Sequence, residues 1–204
     1  MRLFTSLLLL ALSTQALADA SQNLTQQLQK MDSLQGDFAQ TITDNKGKTL
    51  QTTTGQFTIK RPGYFLWQTH SPNEQLVVGN PQKLWVYDPD LEQVRVRPQN
   101  TKTDNSPARL LSGDFASLAP QFEVKENTQN KTDNFTLTPK NKDAENFSQI
   151  QFGFEDGKLA TMSFVDKLGQ QTALSLKNTK SNLPLDIKIF TFEAKPGTDV
   201  IQND

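Results

Sequence analysis

The segment from Phe57 to Val96 constrains the fold more than any other part of the chain. It contains both tryptophans and both tyrosines of the protein. Groups of turn-forming residues divide it into short apolar or alternating runs: Arg61-Pro62-Gly63, Ser71-Pro72-Asn73, Gly79-Asn80-Pro81 and Asp88-Pro89-Asp90. This pattern predicts a meander of about five antiparallel strands.

The order of side chains within this meander indicates which faces are buried. Successive residues of a strand point to opposite faces, so Phe57, Ile59 and Arg61 share one face and the arginine ends an apolar row. In contrast, the runs 76–78 and 84–87 are apolar on both faces. A second layer of the protein or a ligand must therefore cover the face that would otherwise contact water.

The N-terminus has the features of an export signal. A basic start at Arg2, an apolar run from Leu7 to Leu12 and the small-residue triplet Ala16-Leu17-Ala18 predict a secretory signal peptide over residues 1–18. The apolar run is too short to span a bilayer. The remaining residues, 19–204, have the size of one domain with a sizeable core.

Charge and cysteine content exclude several classes of function. The formal net charge is −1 and no basic cluster is present, which argues against binding to nucleic acid. Cysteine is absent, so disulfides, thiolate chemistry and the acylated cysteine that anchors bacterial lipoproteins are excluded. An exported domain without disulfides is typical of the bacterial periplasm.

Two segments outside the meander predict helices. Ser21 can cap a helix with Leu24, Leu28 and Met31 on one narrow apolar stripe. After a polar linker, Ser106-Pro107 opens a second helical segment that extends to Leu118 and is broken at Gly113. This second segment could be an ordinary core helix or a movable lid.

The rest of the chain predicts strands. Residues 35–60 form a hairpin that turns near Asn45-Lys46-Gly47. Alternating runs then predict strands at 121–125, 134–138, 148–155, 159–166, 171–177 and 186–192, with a brief helical turn at 183–185. Together, these segments predict a mainly β protein of about eleven antiparallel strands. The strands form a barrel or a strongly curved sheet with helices on one face. If the helices cover the concave side, the space between the two layers is a cavity lined from both.

The sequence contains no pattern that predicts catalysis or metal binding. His70 lies in a turn without a second histidine or a cysteine, and Asp88, Asp90 and Glu92 flank a turn proline. The motifs of serine hydrolases, zinc proteases and P-loop proteins are absent. We therefore expect no catalytic, cofactor-binding or metal-binding residues. Arg61 is either a donor to backbone carbonyls at the rim of a cavity or a solvated charge at a strand end. Phe65 and Trp67 are either core residues or a ligand wall.

Three stretches resemble one known family. The run from Lys60 to Trp67, the run from Leu84 to Val94, and the ending from Phe190 to Ile201 are similar to the outer-membrane lipoprotein carrier proteins of Gram-negative bacteria, the LolA family. The similarity extends in order along residues 19–204 and includes the signal peptide.

This resemblance implies an incomplete, half β-barrel of about eleven strands with a helical lid over an apolar cavity. It implies a monomeric periplasmic carrier, without a cofactor, that takes triacylated lipoproteins from an ATP-driven inner-membrane release complex and passes them to an outer-membrane receptor. Arg61 matches the arginine that holds the lid closed in that family. The residues expected to line the acyl-chain cavity or to contact partners are Phe57, Ile59, Phe65, Trp67, Trp85, Leu110, Leu111 and Phe115.

Two other functions compete with carriage. One is a periplasmic sensor module of the same fold that binds lipids or lipoproteins without transferring them, although a regulator would be expected to carry a second interaction domain. The other is a hydrolase of lipids or glycans, for which the sequence offers only ordinary acidic residues. The carrier is the hypothesis that the residues and the resemblance favour together.

Overall fold

The computed structural model of the chain describes residues 11–99, 106–113, 119–141 and 146–202, with the backbone alone for residues 11–19. Within these ranges, no helix combines the length and the apolar character that crossing a bilayer requires. Most of the described chain is β-strand. The bounds are β1 Ser33–Thr43, β2 Thr49–Lys60, β3 Tyr64–Ser71, β4 Gln75–Gly79, β5 Lys83–Asp88, β6 Gln93–Pro98, β7 Phe122–Gln129, β8 Thr132–Pro139, β9 Phe147–Glu155, β10 Lys158–Asp166, β11 Gln171–Ser181 and β12 Asp199–Gln202.

The strands form one 12-stranded sheet in the order β12-β6-β5-β4-β3-β2-β1-β11-β10-β9-β8-β7. Consecutive strands pair antiparallel within β1 to β6 and within β7 to β11, and β1 joins these two halves by pairing antiparallel with β11. The exception is β12, which runs parallel to β6. The sheet does not close on itself, because β7 and β12 are its two edges. The predicted incomplete barrel is confirmed, with one strand more than the approximate count from the sequence.

The hairpin of β1 and β2 and the meander follow the predicted turn signals. β1 and β2 meet around Gly47, and the segment from Phe57 to Val96 contains β3, β4 and β5 with parts of β2 and β6. Alternation sets the buried face, since in β2 the residues from Thr53 onward alternate between buried and accessible. The apolar residues of this face form the main core together with those of β7 to β11.

A second, smaller apolar cluster lies on the other face of the meander. It contains Val78, Trp85 and Val94, against which Phe192 packs. The predicted strand at 186–192 is wrong, because this segment contains a short 3-10 helix, Ile187–Phe190, instead. The predicted helical turn at 183–185 is also wrong, because the helical turn begins at Ile187. The C-terminal segment is thus the second layer that the doubly apolar strands required.

Two helices pack on the concave side of the sheet. Helix α1 runs Ala11–Gln29 within the described residues, so it extends at least ten residues before the predicted cap at Ser21. The alanine-rich stretch before Ser21 has high helix propensity, which extends the helix through the predicted cleavage point at Ala18. The predicted apolar stripe is confirmed, since Leu24, Leu28 and Met31 are buried. The signal peptide itself stays a prediction.

Helix α2 runs Pro107–Ser112 and begins where the sequence predicts. The Ser106 side chain accepts a hydrogen bond from the Arg109 backbone N–H at 3.3 Å, and Pro107 occupies the first turn. The helix ends at Gly113. A 3-10 helix, Ala119–Gln121, leads into β7. The linker at 100–105 and the predicted helical residues 114–118 lie outside the described residues.

Candidate functional site

The candidate site is the concave apolar face of the sheet together with the two helices that cover it. Phe57, Ile59 and Phe65 of the sheet are at most 1% exposed. Leu24 and Leu28 of α1 and Ala108 and Leu111 of α2 belong to the same cluster. In the part of the chain that the structure describes, the apolar side chains of the helices thus occupy the space above the sheet. A hydrocarbon ligand would have to take the place of these side chains.

Arg61 connects both covering helices to the sheet. It follows β2 directly, and its own backbone N–H donates to the Asp32 carbonyl at 2.8 Å. Its guanidinium donates to the Leu111 carbonyl of α2 at 3.0 Å and to the Met31 carbonyl after α1, also at 3.0 Å. A further hydrogen bond goes to the Leu28 carbonyl in the last turn of α1. The planar guanidinium suits this task, because its donors diverge while its charge persists at every physiological pH.

The next turn adds a second connection to α2. Gly63 donates its backbone N–H to the Ser112 carbonyl at 2.8 Å, and the Gln99 side chain donates to the Gly63 carbonyl at 3.3 Å. Gly63 adopts a φ of +79°, which a residue with a side chain rarely adopts. The last carbonyls of a helix have no backbone donor within the helix, and in α2 donors from the β2–β3 turn satisfy those of Leu111 and Ser112.

Asn182 holds the end of α1 in a way that the sequence reasoning missed. Its side chain donates to the Lys30 carbonyl at 2.7 Å and accepts from the Asp32 N–H at 2.9 Å. Its backbone N–H donates to the Ser33 carbonyl at 2.9 Å. The signal was an asparagine just after a strand, because asparagine tolerates the left-handed φ of +58° found here.

Aromatic rings form one wall of the concave face. Trp67 of β3 packs against Phe38 of β1 with ring centroids 4.3 Å apart and against Phe57 of β2 at 5.5 Å. The Phe65 ring lies over Gly79 of β4, where an added Cβ would come within 2.4 Å of the ring. Gly79 therefore has to remain without a side chain for Phe65 to lie flat on the sheet.

A crevice of about 310 Å³ opens between this wall and the start of α2. Trp67, Val77 and Ala108 supply its apolar lining, and polar side chains such as Gln40 and Gln51 form its outer part. Arg61 lies at the opposite end of β2 from Gln51, so the crevice and the arginine contacts lie at opposite ends of the covered face. The crevice is thus an opening beside α2 that leads to the aromatic wall.

Residues 29–193 match the model of a family described as "Outer membrane lipoprotein carrier protein LolA". The chain belongs to the LolA family. A relative from Pseudomonas aeruginosa, named outer-membrane lipoprotein carrier protein, is 41% identical over 99% of this chain and 100% of its own length. A relative from Azotobacter vinelandii with the same name is 41% identical over the same shares.

The fold of this LolA-family chain is also found at low sequence identity. An uncharacterized conserved protein from Thermus thermophilus superposes with a TM-score of 0.56 at 11% identity, over 90% of this chain and 99% of that protein. At this identity the similarity concerns the fold alone.

Of the residues that the LolA resemblance selected, most lie together on the concave side. Phe57, Ile59, Phe65, Trp67 and Leu111 are buried there, and Leu110 is half-buried against the same core. Phe115 lies outside the described residues.

Trp85 does not line the covered space. It belongs to the second cluster, beside Val78 and Val94, on the opposite face of the sheet. The reason is parity, since Leu84 of the same strand joins the concave core and the next residue must point the other way. Its expected role, in the cavity or in contact with a partner, stays a prediction, and its place on this face fits contact with a partner better.

Two acidic side chains of this LolA-family chain, Asp37 and Asp88, accept hydrogen bonds that stabilise the local structure. Amide donors from Asn178 at 2.7 Å and from Gln56 at 3.1 Å hold the pKa of the Asp37 carboxyl below its ordinary value of 3.8. Asp88 accepts from the Leu91 N–H in the β5–β6 turn, as its position beside a turn proline predicts. No group of three or more His, Cys, Asp or Glu side chains in the described ranges is placed to hold a metal ion.

Proposed function

We propose that this protein is a periplasmic, non-enzymatic carrier of lipoproteins that shields their acyl chains beneath α1 and α2. The observation that carries the proposal is the match of residues 29–193 to the LolA family. It is supported by relatives that are named lipoprotein carriers and that this chain matches along their full length. In the pathway that we propose, an ATP-driven inner-membrane complex loads triacylated lipoproteins onto this carrier, and an outer-membrane receptor then accepts them from it.

The arrangement of the helices supports reversible carriage. One 16-carbon acyl chain gains roughly 12 kcal/mol on burial, at about 0.8 kcal/mol per CH₂ group. A binding site that was permanently open would hold such cargo too tightly to release it without an energy source. Here the helices compete with the cargo for the same apolar surface. The free energy needed to open them therefore lowers the apparent affinity of the protein for its cargo.

Arg61 is the proposed latch of the closed form. Its guanidinium hydrogen bonds to the Leu28 carbonyl of α1 and the Leu111 carbonyl of α2 hold only while both helices lie on the sheet. Each hydrogen bond from a charged donor contributes about 1.5–3 kcal/mol, which is enough to bias a two-state lid. The crevice beside α2 is the proposed entrance, because it leads from solvent to the aromatic wall.

The test is a release assay with inner-membrane vesicles that contain the release complex and a labelled triacylated lipoprotein. We expect the label to move into a soluble one-to-one complex with the purified protein only when ATP is supplied. Vesicles without the release complex are the control. Binding without subsequent transfer to outer-membrane vesicles would instead support the sensor function, and no ATP-dependent release would contradict the proposal.

A further inference from the structure

Two neighbouring turns of the sheet are built in the same way. In the β1–β2 turn, the Asp44 carboxylate accepts from the N–H groups of Lys46 and Lys48, both at 2.9 Å. In the β10–β11 turn, Asp166 accepts from the N–H groups of Leu168 and Gln170 at 2.8 and 2.9 Å. Each turn also has a glycine with a φ of +80° three residues after its aspartate. These bonds make both turns rigid and place Lys46 and Leu168 at equivalent positions on the two tips.

The two turns lie side by side at one end of the sheet. Thr43 at the end of β1 pairs with Gln171 at the start of β11. An added Cβ on Gly169 would lie 2.9 Å from the Asn45 Cβ, so the turns are in contact. The same end carries the crevice beside α2, since Gln51 follows Leu50 in β2 and lines it.

The tips present apolar and cationic side chains to solvent. Leu168 is 83% exposed and Leu50, just after the first turn, is 52% exposed. Lys46 and Lys48 are exposed, and neither forms an ion pair with another residue in the described part of the chain. Asp44 and Asp166 lie half-buried at the bases of the turns with their carboxylates bonded to amides. A single exposed leucine needs no explanation, but Leu168 on one turn and Leu50 just after the neighbouring turn, which carries Lys46 and Lys48, form a defined surface.

We propose that these twin tips, Lys46, Lys48, Leu50 and Leu168, form a surface that docks transiently on an anionic lipid bilayer. Leucines that enter the interface and lysines that contact anionic headgroups are the combination that gives weak peripheral binding. A protein partner fits less well, because the tips are convex and offer no pocket or groove. Docking here brings the crevice to the bilayer surface. The inference does not rest on the proposed function, since it concerns bare lipid.

The test is flotation of the purified protein with vesicles that contain no protein. One set contains phosphatidylglycerol and phosphatidylethanolamine, and the other contains phosphatidylcholine alone. We expect binding to the anionic vesicles, weakened by added salt. The variant Leu168→Asp should lower the partition coefficient about tenfold, because it removes most of the burial of one leucine. Lys46→Glu should lower it at least roughly fivefold, the contribution of about one lysine near an anionic surface.

Matched controls are available at the other end of the sheet. Ile187 is 55% exposed in the 3-10 helix whose Phe190 ring packs against Tyr64, at the Arg61 end of β3, so Ile187→Asp should leave binding unchanged. Lys158→Glu, at the opposite end of β10 from Leu168, should also have no effect. Equal binding to both vesicle types, or an equal loss in Ile187→Asp, would overturn the proposal. Should Leu168→Asp unfold, Lys46→Glu decides the outcome, because the Lys46 side chain is exposed in a turn and no side-chain packing is lost.

Discussion

The hydrogen bonds of the Arg61 side chain depend on the position of both helices that cover the sheet. It donates to carbonyls on α1, on the loop after α1 and on α2, so its hydrogen bonds require both helices to be seated. The sequence placed it at the end of an apolar row but could not identify these acceptors, because they are backbone atoms distant in the chain. Asn182, with a similar role at α1, was missed because its partners are also backbone groups.

The first prediction concerns the substitution Arg61→Leu. The variant should load cargo normally but release it poorly, since it loses the bonds that favour the closed form. Net loss of even one such hydrogen bond, about 1.5–3 kcal/mol, would slow or reduce transfer at least roughly tenfold. The measurement is transfer of a labelled lipoprotein from the carrier to outer-membrane vesicles that contain the receptor.

The control for this variant is Lys158→Leu, which removes an exposed cation from the start of β10, on the face opposite the core residue Leu159. It should transfer cargo like the wild type. Normal transfer by Arg61→Leu would refute the role of a latch.

Some strands and helices could be predicted from their local sequence, and others could not. The strand pairs of β1 to β6 and α2 follow from turn residues and a helix cap, which act over a few positions. The C-terminal segment did not, because Phe190 and Phe192 alternate like a strand but pack on Tyr64 and Tyr87 with ring centroids 5.6 and 4.9 Å apart. β12 also depended on distant pairing with β6.

The second prediction tests whether α2 is an exchangeable cover. Leu111 is 1% exposed on the face of α2 that meets the core. Leu111→Ala should lower the free energy of unfolding of the empty protein by about 2–5 kcal/mol. It should also raise the affinity for a fluorescent fatty acid, because the closed form that competes with the ligand is weakened.

Val94→Ala is the matched control for this prediction. Val94 is also 1% exposed, but it lies in the second cluster on the other face. The substitution should destabilise the protein without changing the affinity for the fatty acid. Unchanged affinity in Leu111→Ala would show that α2 does not compete with the ligand.

The whole molecule is a sheet with different covers on its two faces. The helices cover the concave face through buried apolar side chains and through the hydrogen bonds of Arg61, whereas the C-terminal segment covers the outer face through aromatic contacts. The sequence predicted that both faces of the meander need a cover, but it could not assign each apolar residue to one of them. That limit explains why Trp85 was placed with Trp67, since adjacent apolar residues leave the parity of a strand undefined.

The protein has two tryptophans, one on each face, and this allows a direct measurement of where an acyl chain binds. The measurement is quenching of tryptophan fluorescence by a lipopeptide whose acyl chain carries a nitroxide. In the variant Trp85→Phe, the fluorescence of Trp67 should be quenched strongly as the lipopeptide binds. In Trp67→Phe, the fluorescence of Trp85 should change little. Equal quenching of both tryptophans, or stronger quenching of Trp85, would contradict binding of the acyl chain beneath the helices.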